Sequence, residues 1–214
     1  MKNNGRREPL LRVILSEAKN LSRFLAAPAW GVRSFDKLKM TALVGLLVVP
    51  LCCADIAPAP TRDWQWIVIH HSATRTGNAE VFDSAHRARG MINGLAYHFV
   101  IDNGTDGRAD GFIETGARWI KQMHGGHCRQ AYINEQGIGI CLVGDFSRDQ
   151  PTTRQMDSLI LLVRGLQEQF HIPDDHVLGH GEVIGEFSEC PGRDFPWAEF
   201  RKRLTEKPAV SEHR

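Results

Sequence analysis

The sequence predicts an α/β fold: a single domain with a mixed central β-sheet and helices packed on its faces. Short apolar segments rich in β-branched residues alternate with segments of helical periodicity, a pattern typical of a sheet covered by helices. The turn sequence DNGTDG, at 102–107, separates two strand-like segments and predicts a hairpin, so part of the sheet is antiparallel. A chain of 214 residues with 42% hydrophobic and 24% charged residues can form one soluble domain with an appended segment.

Five segments carry strand signals. Residues 64–71, WQWIVIHH, are rich in aromatic and β-branched residues and predict a buried strand. Residues 96–101, AYHFVI, and 111–115, GFIET, are the two arms of the predicted hairpin. Residues 137–144, GIGICLVG, form an apolar run between glycines, which favours a central strand. A last short strand is predicted over 176–180, HVLGH.

Three segments predict helices. Residues 78–90 begin with an N-capping Asn and end with a Gly suited to the position after a helix. Residues 152–170 show the strongest pattern, because apolar residues recur at helical spacing after a capping box formed by Thr152 and Gln155. A C-terminal helix is predicted from a proline at its first turn, over 196–204.

The first 60 residues differ from the rest in composition. An uncharged apolar run, MTALVGLLVVPLCC at 40–53, follows two lysines and precedes small residues and prolines. This order is typical of a secretory signal, and the run is too short to span a bilayer comfortably. We therefore predict an N-terminal leader and linker over 1–60, the folded domain over 61–206 and a tail over 207–214.

This leader predicts an exported protein of the periplasm or cell envelope. A cytoplasmic protein with a poorly ordered N-terminal tail is the alternative, and Met40 is a second candidate for the start residue. Cys52 and Cys53 leave a lipid anchor open, and residues 40–53 could attach the protein to a membrane. The net charge of +1 gives no electrostatic reason to expect a nucleic-acid partner.

Cysteine and histidine positions indicate a metal site. Without the leader, Cys128, Cys141 and Cys190 remain, and an odd number argues against a disulfide framework. His70 and His180 end two predicted strands, and Cys190 follows in a turn-rich segment. Strand ends can converge at one edge of a sheet, and two His with one Cys match an open zinc site with three protein ligands. The alternative is that each His is a hydrogen-bonded structural residue.

Five ordered motifs extend this interpretation. IHHSAT, YHFVID, GIGICLVGDF, GHGEV and ECPGRDFPW, spread over about 64–200, resemble the zinc-dependent N-acetylmuramoyl-L-alanine amidase family. The family includes AmpD-type amidases, amidase-type phage lysozymes and peptidoglycan recognition proteins. The resemblance implies Zn²⁺ bound by His70, His180 and Cys190, where other members use Asp at the last position. His71, next to the first ligand, is expected on the opposite face of its strand in a structural role.

The resemblance also implies roles for residues around the metal. Tyr97 matches a family tyrosine near the zinc, and its hydroxyl is expected to assist catalysis. His127 matches a histidine of the substrate cleft and is expected to bind substrate and assist catalysis, with His124 as the competing candidate. Asn134 and Ser188 are expected to contact substrate.

Two positions depart from other family members. Cys141 stands where AmpD-type members carry a catalytic Glu, although phage members also have Cys there. Ser188 stands where some members carry a catalytic Lys, so that cation is missing. Glu182 and Glu189 are nearby carboxylates that could support the site, but solvated loop residues are the simpler interpretation.

The implied reaction is hydrolysis of the amide between the lactyl group of N-acetylmuramic acid and L-alanine of the peptidoglycan stem peptide. Zinc would activate a water molecule and polarise the carbonyl. A non-catalytic peptidoglycan-binding module is the principal alternative, because some recognition proteins keep the cleft without the metal ligands. Zinc peptidase or other amidase chemistry, and a purely structural metal site, are further alternatives.

Overall fold

The computed structural model describes residues 62–206. The leader predicted over 1–60, with its apolar run at 40–53, and the tail predicted over 207–214 lie outside the described residues. Within 62–206, no helix combines the length and apolar character needed to cross a bilayer.

A five-stranded mixed sheet forms the centre of the domain, in the order β3-β2-β4-β1-β5. Strands β1, β2, β4 and β5 run parallel, while β3 pairs antiparallel with β2 through the predicted hairpin. The α/β class and the mixed sheet are therefore confirmed. The strands are β1 (Trp66–His71), β2 (Phe99–Asn103), β3 (Asp110–Thr115), β4 (Gly137–Leu142) and β5 (Val177–Gly179).

Within the described part of the chain, five α-helices accompany the sheet. Each predicted helix is present, and two short helices were not predicted from the sequence. The helices are α1 (Ala79–Ala88), α2 (Ala117–Ile120), α3 (Ala131–Gln136), α4 (Thr153–Phe170) and α5 (Trp197–Thr205), with 3₁₀ turns at Asp174–His176 and His180–Glu182.

Local capping explains where the long helices begin. Asn78 accepts a hydrogen bond from the backbone of Val81 at the start of α1. Thr152 and Gln155 form the predicted reciprocal capping box at the start of α4. Gln155 is also buried, and its side-chain amide donates to the carbonyl of Ile101 in β2. Capping and attachment to the sheet thus occur at the same end of α4.

The strand predicted over 96–101 begins later, at Phe99. The N–H of His98 already donates to the carbonyl of Gly139 in β4, but the N–H of Gly139 donates to the His98 imidazole instead of a backbone carbonyl, and regular pairing with β4 starts at Phe99. Tyr97 consequently lies just before the strand and not within it.

The two faces of the sheet have different partners. Side chains alternate along each strand, so Ile67 and Ile69 of β1 face the main core while Val68 and His70 face the other side. The main core packs the apolar faces of α4 and α5 against the sheet and includes Phe99, Ile101, Ile138, Ile140, Leu142, Leu159, Val163, Leu166 and Phe200. The opposite face carries two smaller apolar clusters, one around Val100 and one around Val68, and His70 lies on this face near the carboxyl end of β1.

Candidate metal centre

Three predicted ligands converge at the carboxyl edge of the sheet. His70 lies near the end of β1, His180 directly follows β5, and these two strands are parallel neighbours. Cys190 lies in the loop beyond, with its Sγ 3.7 Å from Nδ1 of His70. One potential ligand atom from each of the three residues lies within 4.8 Å of the others.

The turn-rich segment returns Cys190 to this edge through backbone contacts. The N–H of Gly181 donates to the carbonyl of Cys190 over 2.8 Å. A Cβ at Gly181 would lie 2.1 Å from the carbonyl oxygen of Ser188, so only glycine permits this close approach. The backbone N–H of His71 contacts Cys190 Sγ at 3.4 Å.

Burial governs the ionisation of the Cys190 thiol. It raises the pKa of Cys190 to about 12, and the hydrogen bond from His71 opposes this rise. The thiol is therefore protonated near neutral pH unless a cation is bound. Metal binding at this position must release the proton, as it does at other thiolate sites.

A chain of two contacts determines how His70 is oriented. Its Nε2 lies 3.1 Å from Nδ1 of His127, and Nε2 of His127 lies 3.3 Å from the carbonyl oxygen of Gly137. Because a carbonyl only accepts, His127 carries its proton on Nε2 and accepts from His70 through Nδ1. Nδ1 of His70, which faces Cys190, is thereby left with a free lone pair.

The imidazole rings of His70 and His127 are both neutral near pH 7. Burial, with the neighbouring histidines, lowers the pKa of His70 well below its usual value. Burial, followed by the nearby His98, lowers the pKa of His127 to about 3. A neutral imidazole is the form that binds a metal.

Glycine makes room for the His127 ring. A Cβ at Gly139 or at Gly125 would lie 2.4 Å from Cδ2 of this ring. Gly139, the second glycine of GIGIC, is part of β4, and its lack of a side chain leaves space for the His127 ring. His127 itself is buried, and both of its ring nitrogens are engaged within the protein. This buried position beside His70 belongs to the residue for which the family resemblance implies a role in the substrate cleft.

Tyr97 lies beside the candidate ligands. Its ring centre is 5.1 Å from that of His70. Burial raises the pKa of the Tyr97 phenol well above its usual value, and the thiols of Cys141 and Cys190 act in the same direction. The hydroxyl is therefore protonated near neutral pH and can donate a hydrogen bond.

The other predicted polar residues are used within the protein. Asn134 accepts hydrogen bonds from the backbones of His127 and Cys128 and donates to the carbonyl of Cys128, so it closes the loop that carries His127. Ser188 accepts from the backbone of Cys190 through its hydroxyl. His124 contacts the carbonyl of Gly125 and belongs to no cluster of possible metal ligands among residues 62–206.

Two residues near the cluster were not identified from the sequence. Cys128 Sγ lies 3.3 Å from Nδ1 of His127, and Glu186 Oε2 lies 3.2 Å from Nε2 of His180. They form two further clusters of possible ligands, His70–His127–Cys128 and Cys128–His180–Glu186. Glu186 lies between the GHGEV and ECPGRDFPW motifs, but no local sequence feature distinguishes it from Glu182 and Glu189.

The His70–His180–Cys190 cluster offers donor atoms that suit zinc. Zinc binds imidazole nitrogens and thiolate sulfur, and three protein ligands leave its fourth position open. In the competing cluster with Cys128, His127 already uses Nδ1 as an acceptor from His70 and Nε2 as a donor. The residues at the sheet edge therefore fit zinc, with Nδ1 of His70 available as a ligand atom.

The fold and this cluster define an α/β protein with a candidate metal site at the carboxyl edge of a mixed sheet. The profile of the N-acetylmuramoyl-L-alanine amidase family matches residues 60–193. The chain therefore belongs to this family, and the resemblance inferred from the motifs is confirmed.

Similar proteins include both amidases and recognition proteins. A peptidoglycan recognition protein of Trichoplusia ni is 31% identical over 139 residues, covering 62% of this chain and 71% of the relative. The structure of N-acetylmuramoyl-L-alanine amidase LysC from Clostridium intestinale matches with a TM-score of 0.57 and 31% identity, covering 68% of this chain and 88% of that chain. Human PGRP-IBETAC, in complex with glycosamyl muramyl pentapeptide, shares the fold with a TM-score of 0.52 and 21% identity, covering 63% and 80% of the two chains.

Proposed function

We propose that this protein is a zinc-dependent amidase. Its substrate would be the amide between the lactyl group of N-acetylmuramic acid and L-alanine of the peptidoglycan stem peptide. The observation that carries this proposal is the cluster of His70, His180 and Cys190, in which three donor atoms converge without a fourth protein ligand among residues 62–206. Three ligands and one open position distinguish catalytic zinc from structural zinc.

The residues around the cluster have separable tasks in this reaction. Bound zinc would supply a Lewis acid and an activated water molecule. Tyr97 is protonated and close to His70, and its hydroxyl would donate a hydrogen bond to the oxyanion that develops on the amide carbonyl. His127 acts through His70, because both of its ring nitrogens are engaged and its ring is buried. Ser188 carries no charge, so oxyanion stabilisation depends on the metal and Tyr97.

A non-catalytic recognition module is the second candidate function. The similarity to the recognition protein of Trichoplusia ni favours it, since that relative is as identical to this chain as the amidase LysC. Both candidates bind the same class of ligand. The complete donor set favours hydrolysis, because binding alone does not require a metal with an open position.

One experiment separates the two candidates. The protein is incubated with a purified muropeptide, with and without a chelator, and the products are identified by mass spectrometry. An amidase adds one water molecule and releases a peptide with a free L-alanine amine. We expect this release to stop with the chelator and to return with zinc. A zinc-loaded protein that binds the muropeptide but releases no peptide would establish the recognition module instead.

A further inference from the structure

The loop between His180 and Cys190 turns a carboxylate inward and apolar side chains outward. The side chain of Glu186 is only 2% exposed. Its neighbours Ile184 and Phe187 are 85% and 90% exposed. Carboxylates are rarely buried unless they are paired. The burial of Glu186 between exposed apolar neighbours therefore indicates that its carboxylate has a specific partner within the protein.

The two carboxylate oxygens of Glu186 have different partners. Oε1 accepts hydrogen bonds from the backbone N–H groups of Arg129 and Gln130, which hold the carboxylate against the neighbouring loop. Oε2 lies 3.2 Å from Nε2 of His180. No Lys or Arg side chain among the described residues pairs with this carboxylate, so His180 is its one ionisable partner there.

The Nε2 atom of His180 has no alternative acceptor. It is buried, and it makes no aligned hydrogen bond within residues 62–206, although Glu186 Oε2 is within hydrogen-bonding distance. A small rotation of the imidazole would align the two groups. A proton on Nε2 would then be held by the carboxylate, and the lone pair would be on Nδ1.

We propose that Glu186 is a positioning residue that holds His180 in the orientation and tautomer needed to bind the metal through Nδ1. Carboxylates and carbonyls that accept from a metal-bound histidine fix the ring and make it a better ligand. In this protein the two imidazoles have separate supports: His70 is held by His127, and His180 is held by Glu186. The inference rests on the zinc site of the proposed function.

The alternative is that Glu186 itself binds the metal, in the cluster with Cys128 and His180. Its Oε1 is already an acceptor for two backbone N–H groups. If Oε2 bound a metal together with Nε2 of His180, Nδ1 of His180 would no longer be the ligand atom. The two arrangements therefore differ in which nitrogen of His180 carries the proton.

Glu186→Gln is the most direct variant. The amide oxygen of Gln can still accept from Arg129 and Gln130, but its NH₂ group cannot accept from His180. Glu189→Gln is the matched control, because it makes the same change at an exposed position of the same loop. Zinc affinity is measured by competition with a chromophoric chelator, and folding of the zinc-free proteins by circular dichroism and thermal melting.

We expect zinc affinity to fall about 10-fold or more in Glu186→Gln and to stay within about two-fold of wild type in Glu189→Gln. The cobalt-loaded Glu186→Gln protein should also show an altered visible absorption spectrum, which reports the ligand geometry directly. Equal zinc affinity in wild type and Glu186→Gln would overturn the inference. Failure of wild type to bind zinc would overturn the metal site of the proposed function as well.

A measurement on wild type does not depend on whether the variant folds. Long-range ¹H–¹⁵N correlation spectra of the zinc-loaded protein identify the protonated nitrogen of each histidine. We expect His180 to carry its proton on Nε2 and to bind zinc through Nδ1. A proton on Nδ1 with coordination through Nε2 would refute the role of Glu186. Neither readout uses substrate, so the absence of amidase activity would leave this inference intact.

Discussion

The Nε2 atom of His70 lies 3.1 Å from Nδ1 of His127, so a candidate metal ligand is in contact with a second buried histidine. This contact links the metal site to the backbone of β4, because His127 in turn contacts the carbonyl of Gly137. The rigid sheet thus determines which nitrogen of His70 faces Cys190. Substitutions of His127 should therefore alter the metal site without touching a ligand.

His127→Phe tests this relationship. Phe retains a ring of similar size but cannot accept a hydrogen bond from Nε2 of His70. We therefore expect zinc affinity to fall about 10- to 100-fold. His124→Gln is the control, because this residue belongs to no cluster of possible ligands among residues 62–206. Chelator competition measures both affinities. A larger loss in His124→Gln than in His127→Phe would reverse the choice between the two histidines.

Cys190→Ala should lose zinc during dialysis, because it removes one of three ligands. Metal analysis by mass spectrometry measures the zinc that remains. Cys128→Ala is the matched control, since it removes the other thiol near the histidines and should retain one zinc per chain. If Cys128→Ala loses the metal and Cys190→Ala keeps it, the ligand set is one of the two clusters that contain Cys128 instead.

Tyr97→Phe should preserve the fold and zinc binding while slowing hydrolysis of the muropeptide. Loss of one oxyanion donor typically lowers the rate by about 10²–10³, and we expect a fall of that size in kcat. The binding affinity for the muropeptide should change little, because the hydroxyl acts mainly in the transition state. A kcat close to that of wild type would show that Tyr97 serves only in packing beside His70.

Asp102 predicts a pH-dependent stability that is independent of the metal. Its side chain is 0% exposed, and neither carboxylate oxygen has a hydrogen-bond partner within the described part of the chain. Burial, and then the nearby Glu114, raises the pKa of Asp102 to about 7. Between its ordinary value and about 7, the folded protein holds a proton that the unfolded chain releases, so stability decreases as pH rises through this interval.

For Asp102→Asn, the measured quantity is the free energy of unfolding of the variant minus that of wild type. We expect this difference to be more favourable to the variant at pH 8 than at pH 5. The expected change in that difference is about 3 kcal/mol, because about two units separate pH 5 from the pKa of about 7 and each unit corresponds to about 1.4 kcal/mol. Chemical unfolding of the zinc-free proteins at several pH values gives the two curves. Buried histidines affect the stability curves of wild type and Asp102→Asn equally. Asp149→Asn is the control: this side chain is exposed, so the stability of the variant should change with pH as that of wild type does. Parallel curves for Asp102→Asn would show that Asp102 ionises normally.

Local features of the fold were accessible from the sequence. The capping box of Thr152 and Gln155, the N-cap Asn78 and the central strand at 137–144 all depend on residues within a few positions of each other. Such signals are encoded locally, so they persist without knowledge of the partners. The prediction that β2 begins at residue 96 was wrong, because the His98 side chain accepts the N–H of Gly139 from the distant β4 and regular pairing begins at Phe99.

The sequence by itself determined the family, and the family resemblance implied that His70, His180 and Cys190 meet at one site. Only the tertiary structure placed His127 beneath His70 and selected Glu186 from three carboxylates in one loop. The physical reason is that orientation and burial arise from contacts between segments far apart in the chain. Glu182 and Glu189 have the same chemistry, but only Glu186 meets the backbone of Arg129 and Gln130, which holds its carboxylate next to His180.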